Sequence, residues 1–316
     1  MPYKYLAAVD MGTNSFRLII ARVDEEGSFK IIHKEKELIR LASHEGKGLS
    51  LITDAEINTA IKALKKFKAI AEFYHAPVRA VATSATREAK NKHEFITQIK
   101  KEIGIDVEVI EGHHEARLIF QGVQSAVPLN NKKVFCIDIG GGSTEFIFAE
   151  NCKVNLTESI RLGAVRLTKK FFPDFVVNEY SLRKCGEYIE EHIANNKNLK
   201  TNEKFDIAVG SSGTILATAG LVYYINNNKR KRAINGLTFS KDELVEVSDY
   251  IFSKHTFEQR LKIKGLEKKR ADIYPAGILI LRKAFEIFKL ENMIVSEYAL
   301  RTGIIIDTIH KLKLKK

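Results

Sequence analysis

One short pattern occurs twice in this chain, and that repetition constrains the fold more than any other feature. An apolar run closes on an aspartate, a glycine turn with hydroxyl side chains follows, and a second apolar run leads away. Asp10-Met11-Gly12-Thr13-Asn14-Ser15 aligns with Asp138-Ile139-Gly140-Gly141-Gly142-Ser143, 128 positions apart (138 − 10). Self-similarity over such a distance marks an internally duplicated supersecondary unit. At 316 residues the chain also has the length of two domains of roughly 150 residues each.

Around the two copies the periodicity alternates between strand and helix. The runs KYLAAVD, SFRLIIARV and FKIIHKEKELIRL predict an antiparallel meander. Thr53 with Glu56 three residues later makes a capping box, and the spacing from Ile57 to Phe73 predicts a helix. Next come a strand over VRAVATSA, a helix ending near Gly104, a strand over DVEVI and a helix from about His113. Val127-Pro128 and the polar LNNKK place a boundary, so lobe I is expected over 1–126 and lobe II over 127–298. A helix from Ala299 onward is expected to pack back on lobe I. Lobe II opens on the second strand–turn–strand, continues with a strand over Lys153–Arg161 and a helix over Ser181–Asn196, and runs a strand FDIAVG into Ser211-Ser212-Gly213-Thr214. Helices dominate from there, with NMIVSEYAL as one more strand.

Composition narrows the class. With 45% hydrophobic and 28% charged residues the chain is that of an ordinary globular protein, neither disordered nor fibrous. Its net charge of +12 favours polyanionic partners, without separating nucleic acid, membrane and phosphorylated metabolites. The N-terminus has neither a secretory core nor a spanning run, which predicts a cytoplasmic protein with no membrane partner. Cys136, Cys152 and Cys185 are too few and too scattered for a disulfide framework or a zinc site.

A carboxylate at a strand end, followed by a glycine turn, aims backbone N–H groups into one concavity where an anion sits. Beside a phosphate that carboxylate is repulsive unless a cation lies between them, so Asp10 and Asp138 imply a divalent metal, Mg2+ or Mn2+, held by few carboxylates plus substrate oxygens. Glycine turns also simply join strands. Two copies led by Asp are the more specific signal, and neither has the Gly-Lys-Ser/Thr ending of a P-loop.

The stretches DMGTNSFRL, ATSATREA, EGHHEARLIF, DIGGGSTEF, SIRLGAVRL, VGSSGT, RADIYPAGI and SEYALRTG occur in an order, from Asp10 to Gly303, that resembles the exopolyphosphatase and guanosine pentaphosphate phosphohydrolase family. That family is a branch of the actin-like ATPase superfamily. The resemblance implies an α/β fold of two actin-like (ribonuclease H-like) lobes with an interlobe cleft. It implies hydrolysis of the terminal phosphate of inorganic polyphosphate or guanosine pentaphosphate, as in the stringent response. By the same resemblance Glu115 positions and deprotonates the attacking water, Glu145 is the second acidic residue and holds the metal with Asp138, and Arg87 grips substrate. The phosphate cradle is then Thr13, Asn14 and Ser15, with Gly142, Ser143 and Thr144, and with Gly210, Ser212, Gly213 and Thr214. Gly213 and Thr214 are expected to open a helix and add its partial charge. Longer family members append a helical His-Asp domain. No His-Asp dipeptide occurs before Lys316, so only the two lobes are expected.

Each assignment has a plainer counterpart. Glu115 in the first turn of a helix also favours the dipole, Glu145 also suits a solvent-facing strand position, and Arg87 also suits a surface pair with Glu88 or Glu94. His113 and His114 beside Glu115 cannot face one ion from a helix. The run Asn226–Arg232 can meet a polyphosphate tail or form a solvated loop, and Arg270 and Arg301 equally suit packing salt bridges. An acceptor-dependent actin-like kinase or ATPase and a non-catalytic polyphosphate-binding protein are the alternative functions. The expected partners are the substrate and a second copy in a homodimer, with no specific nucleic acid.

Overall fold

The structure is a computed structural model that describes residues 3–41, 51–201, 203–231 and 233–313. It divides into two compact units, residues 1–122 with 299–316, and residues 123–298.

The first unit is built on a five-stranded sheet. β1 (Tyr5–Met11), β2 (Ser15–Val23) and β3 (Phe29–Leu38) form the antiparallel meander that their alternation predicts. α1 (Asp54–Phe73) begins at the Thr53–Glu56 box, in which the Glu56 carboxylate accepts from Thr53 N at 2.8 Å. β4 (Val78–Ala82) is shorter than the run VRAVATSA suggests, because the chain turns at Thr83 into α2 (Ser84–Glu88). α3 (Lys92–Ile103) stops at Gly104 in the left-handed region, φ 74°. β5 (Val107–Val109) and α4 (Gly112–Gln124) follow. The strand order is β3-β2-β1-β4-β5, with β1, β4 and β5 parallel. One face is covered by a core that includes Val9, Leu18 and Ile20 of the strands with Leu64, Phe67, Phe95 and Ile99 of α1 and α3.

The second unit repeats this plan. β6 (Lys133–Ile139), β7 (Thr144–Glu150) and β8 (Lys153–Ile160) are an antiparallel meander. α5 (Ala164–Phe171) and α6 (Glu179–Ala194) lead to β9 (Ile207–Ser211) and α7 (Gly213–Asn227). β10 (Thr238–Ser240), α8 (Lys241–Phe252), α9 (Phe257–Leu261), α10 (Tyr274–Ile287) and β11 (Asn292–Val295) complete the unit. The order β10-β11-β9-β6-β7-β8 contains the first sheet's order, with β10 added at one edge. α10 lies at the heart of this unit, in contact with α5, α6, α7 and α8. Arg260, wholly buried, spends its guanidinium on the carbonyls of Ala271, Lys254, His255 and Phe175. α11 (Leu300–Lys313) then rejoins the first unit, packing on β1 and β2, where Asp307 meets Arg79 of β4 at 2.5 Å. Among the described residues no helix is long and apolar enough to cross a membrane.

Candidate active site

The two hairpins have loops of equal length. The last paired residues are Met11 with Phe16 in the first unit and Ile139 with Thr144 in the second, so each turn encloses four residues. Gly140 N closes the second turn on Ser143 O at 2.9 Å.

In the first unit, Asp10, one residue before the end of β1, stands directly opposite Arg17 of β2. Burial raises the Asp10 carboxyl above its ordinary range, and the charges of Arg17 and Arg301 only partly offset this. Two cations thus surround Asp10, and its cross-strand partner is not a second carboxylate. Thr13 and Ser15 are buried, Ser15 Oγ accepts from Arg17 Nε at 3.3 Å, and the Asn14 side-chain oxygen is buried without a hydrogen-bond partner among the described residues.

Glu115 lies in the first turn of α4, 6% exposed, between an exposed His113 and a chain that turns inward. Arg87, at the end of α2, donates from Nη1 to Glu115 Oε2 at 3.1 Å and to Ile110 O at 2.7 Å. The plainer alternative, a surface pair of Arg87 with Glu88 or Glu94, is not what forms; Glu88 accepts from Ser84 Oγ at 2.9 Å. The short α2, unforeseen from the strand-like run, is what carries Arg87 to the β5–α4 junction.

In the second unit, Asp138 stands opposite Glu145 on adjacent antiparallel strands, which brings two carboxylates side by side on one face. Glu145 is 1% exposed, so the solvent-facing alternative does not hold. Its Oε1 accepts from Ser143 Oγ at 2.7 Å and Ser159 Oγ at 2.8 Å, while Ser211 Oγ donates to Asp138 Oδ2. Thr144 gives its hydroxyl proton to Leu162 O, tying β7 to the approach of α5. That approach matters to the glycine loop. Ala164 N donates to Gly140 O, Val165 N and Arg166 N to Gly141 O, and Arg166 Nε to Gly142 O at 2.8 Å. A Cβ on Gly163 would lie 2.3 Å from Gly141 O, so only glycine allows the approach. Gly163 and Arg166 fall in the SIRLGAVRL stretch, but their role depends on a helix too short to announce itself by periodicity.

The third loop joins β9 to α7. Gly213 and Thr214 open α7 as the sequence predicts, and Ser212 before them has φ 99° and ψ 166°. Its hydroxyl is buried with no partner among the described residues. The Arg270 guanidinium lies over this helix start, so near that a Cβ on Gly213 would sit 1.7 Å from an Nη atom; Arg270 Nε also pairs with Glu267 at 3.0 Å. Of the basic run, Lys229–Lys231 follow the end of α7 and Arg232 lies outside the described residues.

Among the described residues no group of three or more His, Cys, Asp or Glu could hold a metal ion. A closed structural zinc site is therefore absent from that part of the chain. The Asp138–Glu145 pair fits an ion that takes one or two hard oxygens from protein and the rest from water and phosphate, which is the habit of magnesium.

Two sheets that share one strand order, each with an aspartate leading its first hairpin turn, define a duplicated two-unit α/β protein. Within that class the chain belongs to the Ppx/GppA phosphatase family, whose profile matches residues 19–312. A bifunctional 3-dehydroquinate synthase/phosphatase of Fusobacterium nucleatum is 32% identical over 96% of this chain and 46% of its own length. A guanosine-5'-triphosphate,3'-diphosphate pyrophosphatase of Vibrio parahaemolyticus is 28% identical over 97% of this chain and 60% of its own length. The chain thus spans about half the length of these curated relatives. The crystal structure of an exopolyphosphatase from Cytophaga hutchinsonii superimposes with a TM-score of 0.88 at 29% identity, covering 97% of this chain and 98% of the other.

Proposed function

We propose that the chain hydrolyses the terminal phosphate of inorganic polyphosphate or guanosine pentaphosphate, with Glu115 activating water and Asp138 and Glu145 holding Mg2+ or Mn2+. The observation that carries this is the Arg87–Glu115 pair, a buried carboxylate and a guanidinium 3.1 Å apart. A phosphoryl-transfer hydrolase needs a base for its water and a cation for the equatorial oxygens, side by side.

Each residue then has a task. Glu115 accepts a proton from water and orients a lone pair in line with the scissile bond. Arg87 holds Glu115 with Nη1; among the described residues no acceptor meets its Nε or Nη2, which leaves that side of the fork for phosphate oxygens. The N–H groups of the glycine loop and of the α7 start, with the Ser212 hydroxyl, stabilise charge that develops on phosphate. Asp138 and Glu145 supply hard oxygens, and a divalent ion bound there would neutralise terminal phosphate charge. Asp10, facing Arg17, is better suited to ordering its own hairpin than to holding the ion.

Phosphate release from polyphosphate and from guanosine pentaphosphate, with and without Mg2+, tests the proposal. Metal-dependent release without an acceptor is expected from at least one substrate, and Glu115→Gln should lower it by about 100- to 10,000-fold while still binding substrate. Near-normal turnover by that variant overturns the role of Glu115. Turnover of ATP that requires a hydroxyl acceptor would favour the actin-like kinase instead.

A further inference from the structure

A single row of residues crosses the second sheet at the level of the acid pair. Ser159 on β8 pairs with Glu145 on β7, Glu145 with Asp138 on β6, and Asp138 with Ser211 on β9. Residues paired in register project from the same face. The row therefore reads serine, carboxylate, carboxylate, serine, and each outer hydroxyl donates to its neighbouring carboxylate.

The same row in the first unit reads Lys36, Arg17, Asp10 and Val81. There the aspartate has a cation beside it, and the row has no hydroxyl. Serines thus flank the row in the unit where two carboxylates are adjacent. Two neighbouring carboxylates repel, and a glutamate has several rotatable bonds through which to swing away. A hydroxyl fixed on a flanking strand limits that freedom.

We propose that Ser159 is a positioning residue: it holds the Glu145 carboxylate beside Asp138, so that both present oxygens to one divalent cation. This rests on the metal assignment made above for Asp138 and Glu145. Ser143 Oγ meets the same Oε1 from the loop side, so the carboxylate is fixed from two directions. Ser159 is the contact supplied by a strand outside the glycine loop, and it can be altered without touching the phosphate cradle. Groups that orient metal ligands typically change affinity by about 10- to 100-fold when lost.

The test is a Mn2+ titration followed by electron paramagnetic resonance, beside the Mg2+ dependence of phosphate release. Ser159→Ala should weaken Mn2+ binding about 10-fold and raise the Mg2+ needed for half-maximal rate by a similar factor. Ser159→Thr should retain both values, and Ser159→Val, which has the shape of that threonine without its hydroxyl, should behave as Ser159→Ala, which isolates the hydroxyl from strand propensity and packing. Thr157→Ala, two residues along β8 and opposite Ile147, should match the wild type. If Glu145→Gln loses Mn2+ while Ser159→Ala and Ser159→Val bind it normally, the positioning role is overturned and the metal assignment stands. If Glu145→Gln binds Mn2+ as the wild type does, the metal assignment fails and takes the positioning role with it.

Discussion

Asp138 stands directly across from Glu145, where the corresponding hairpin of the first unit sets Asp10 across from Arg17. One backbone plan thus presents an acid pair in one copy and an acid–base pair in the other. On the proposed reading the acid pair is the place for a cation, whereas Asp10 already has one in Arg17.

Magnesium should stabilise the second unit through that acid pair. A ligand present at one hundred times its dissociation constant adds about 2.7 kcal/mol to stability. The wild-type protein should therefore melt several degrees higher with Mg2+, and Asp138→Asn should lose the increment. Scanning calorimetry with and without the ion measures both; an equal increment in the variant would place the ion elsewhere.

Arg87→Ala should lower kcat/KM by about 10- to 100-fold, the effect of removing a charge-assisted hydrogen bond worth roughly 1.5–3 kcal/mol. Arg87→Lys should recover only part of this, because an ammonium cannot reach Ile110 O, Glu115 and a phosphate from one planar fork. Steady-state kinetics of the two variants decide it. Full activity in the lysine variant would reduce Arg87 to a point charge.

Asp10 makes the stability of the metal-free protein depend on pH with a definite sign. Burial raises its carboxyl against Arg17 and Arg301, so the folded state binds that proton more tightly than the unfolded chain does. The resulting penalty is absent below the ordinary value of 3.8 and grows as pH rises through the raised folded value. Asp10→Asn should therefore raise Tm at neutral pH, with a gain that shrinks towards zero below about pH 3.8. Melting curves across pH give the answer, and a lower Tm at pH 7 would contradict it.

Ser212 lies in a backbone region that glycine enters freely and other residues enter at about 1–3 kcal/mol. Ser212→Gly should stabilise the fold by roughly 1 kcal/mol yet slow phosphate release, since the buried hydroxyl is lost. Parallel Tm and rate measurements check this, and a variant both less stable and fully active would count against it.

Much of the architecture was legible because two local rules agreed. Alternation located both meanders, and the Thr53–Glu56 box and Gly104 marked the helix ends where they occur. Three elements escaped: α2, hidden in small residues that continue a strand pattern; α5, only eight residues long; and β10, only three. The motifs put Asp138 and Glu145 on neighbouring strands and Glu115 in the first turn of a helix, as the structure has them. The hydroxyls of Ser159 and Ser211 that donate to these acids were not legible, nor was the grip of Arg166 on the glycine loop, because they acquire meaning only through strand register and the approach of α5, which no linear spacing encodes.

The buried guanidinium of Arg260 has a consequence for how the second unit assembles. It gathers carbonyls from residues 175, 254–255 and 271, three stretches that regular pairing does not connect. Because one side chain serves them all, they are expected to acquire protection from hydrogen exchange together, as one late-closing clasp.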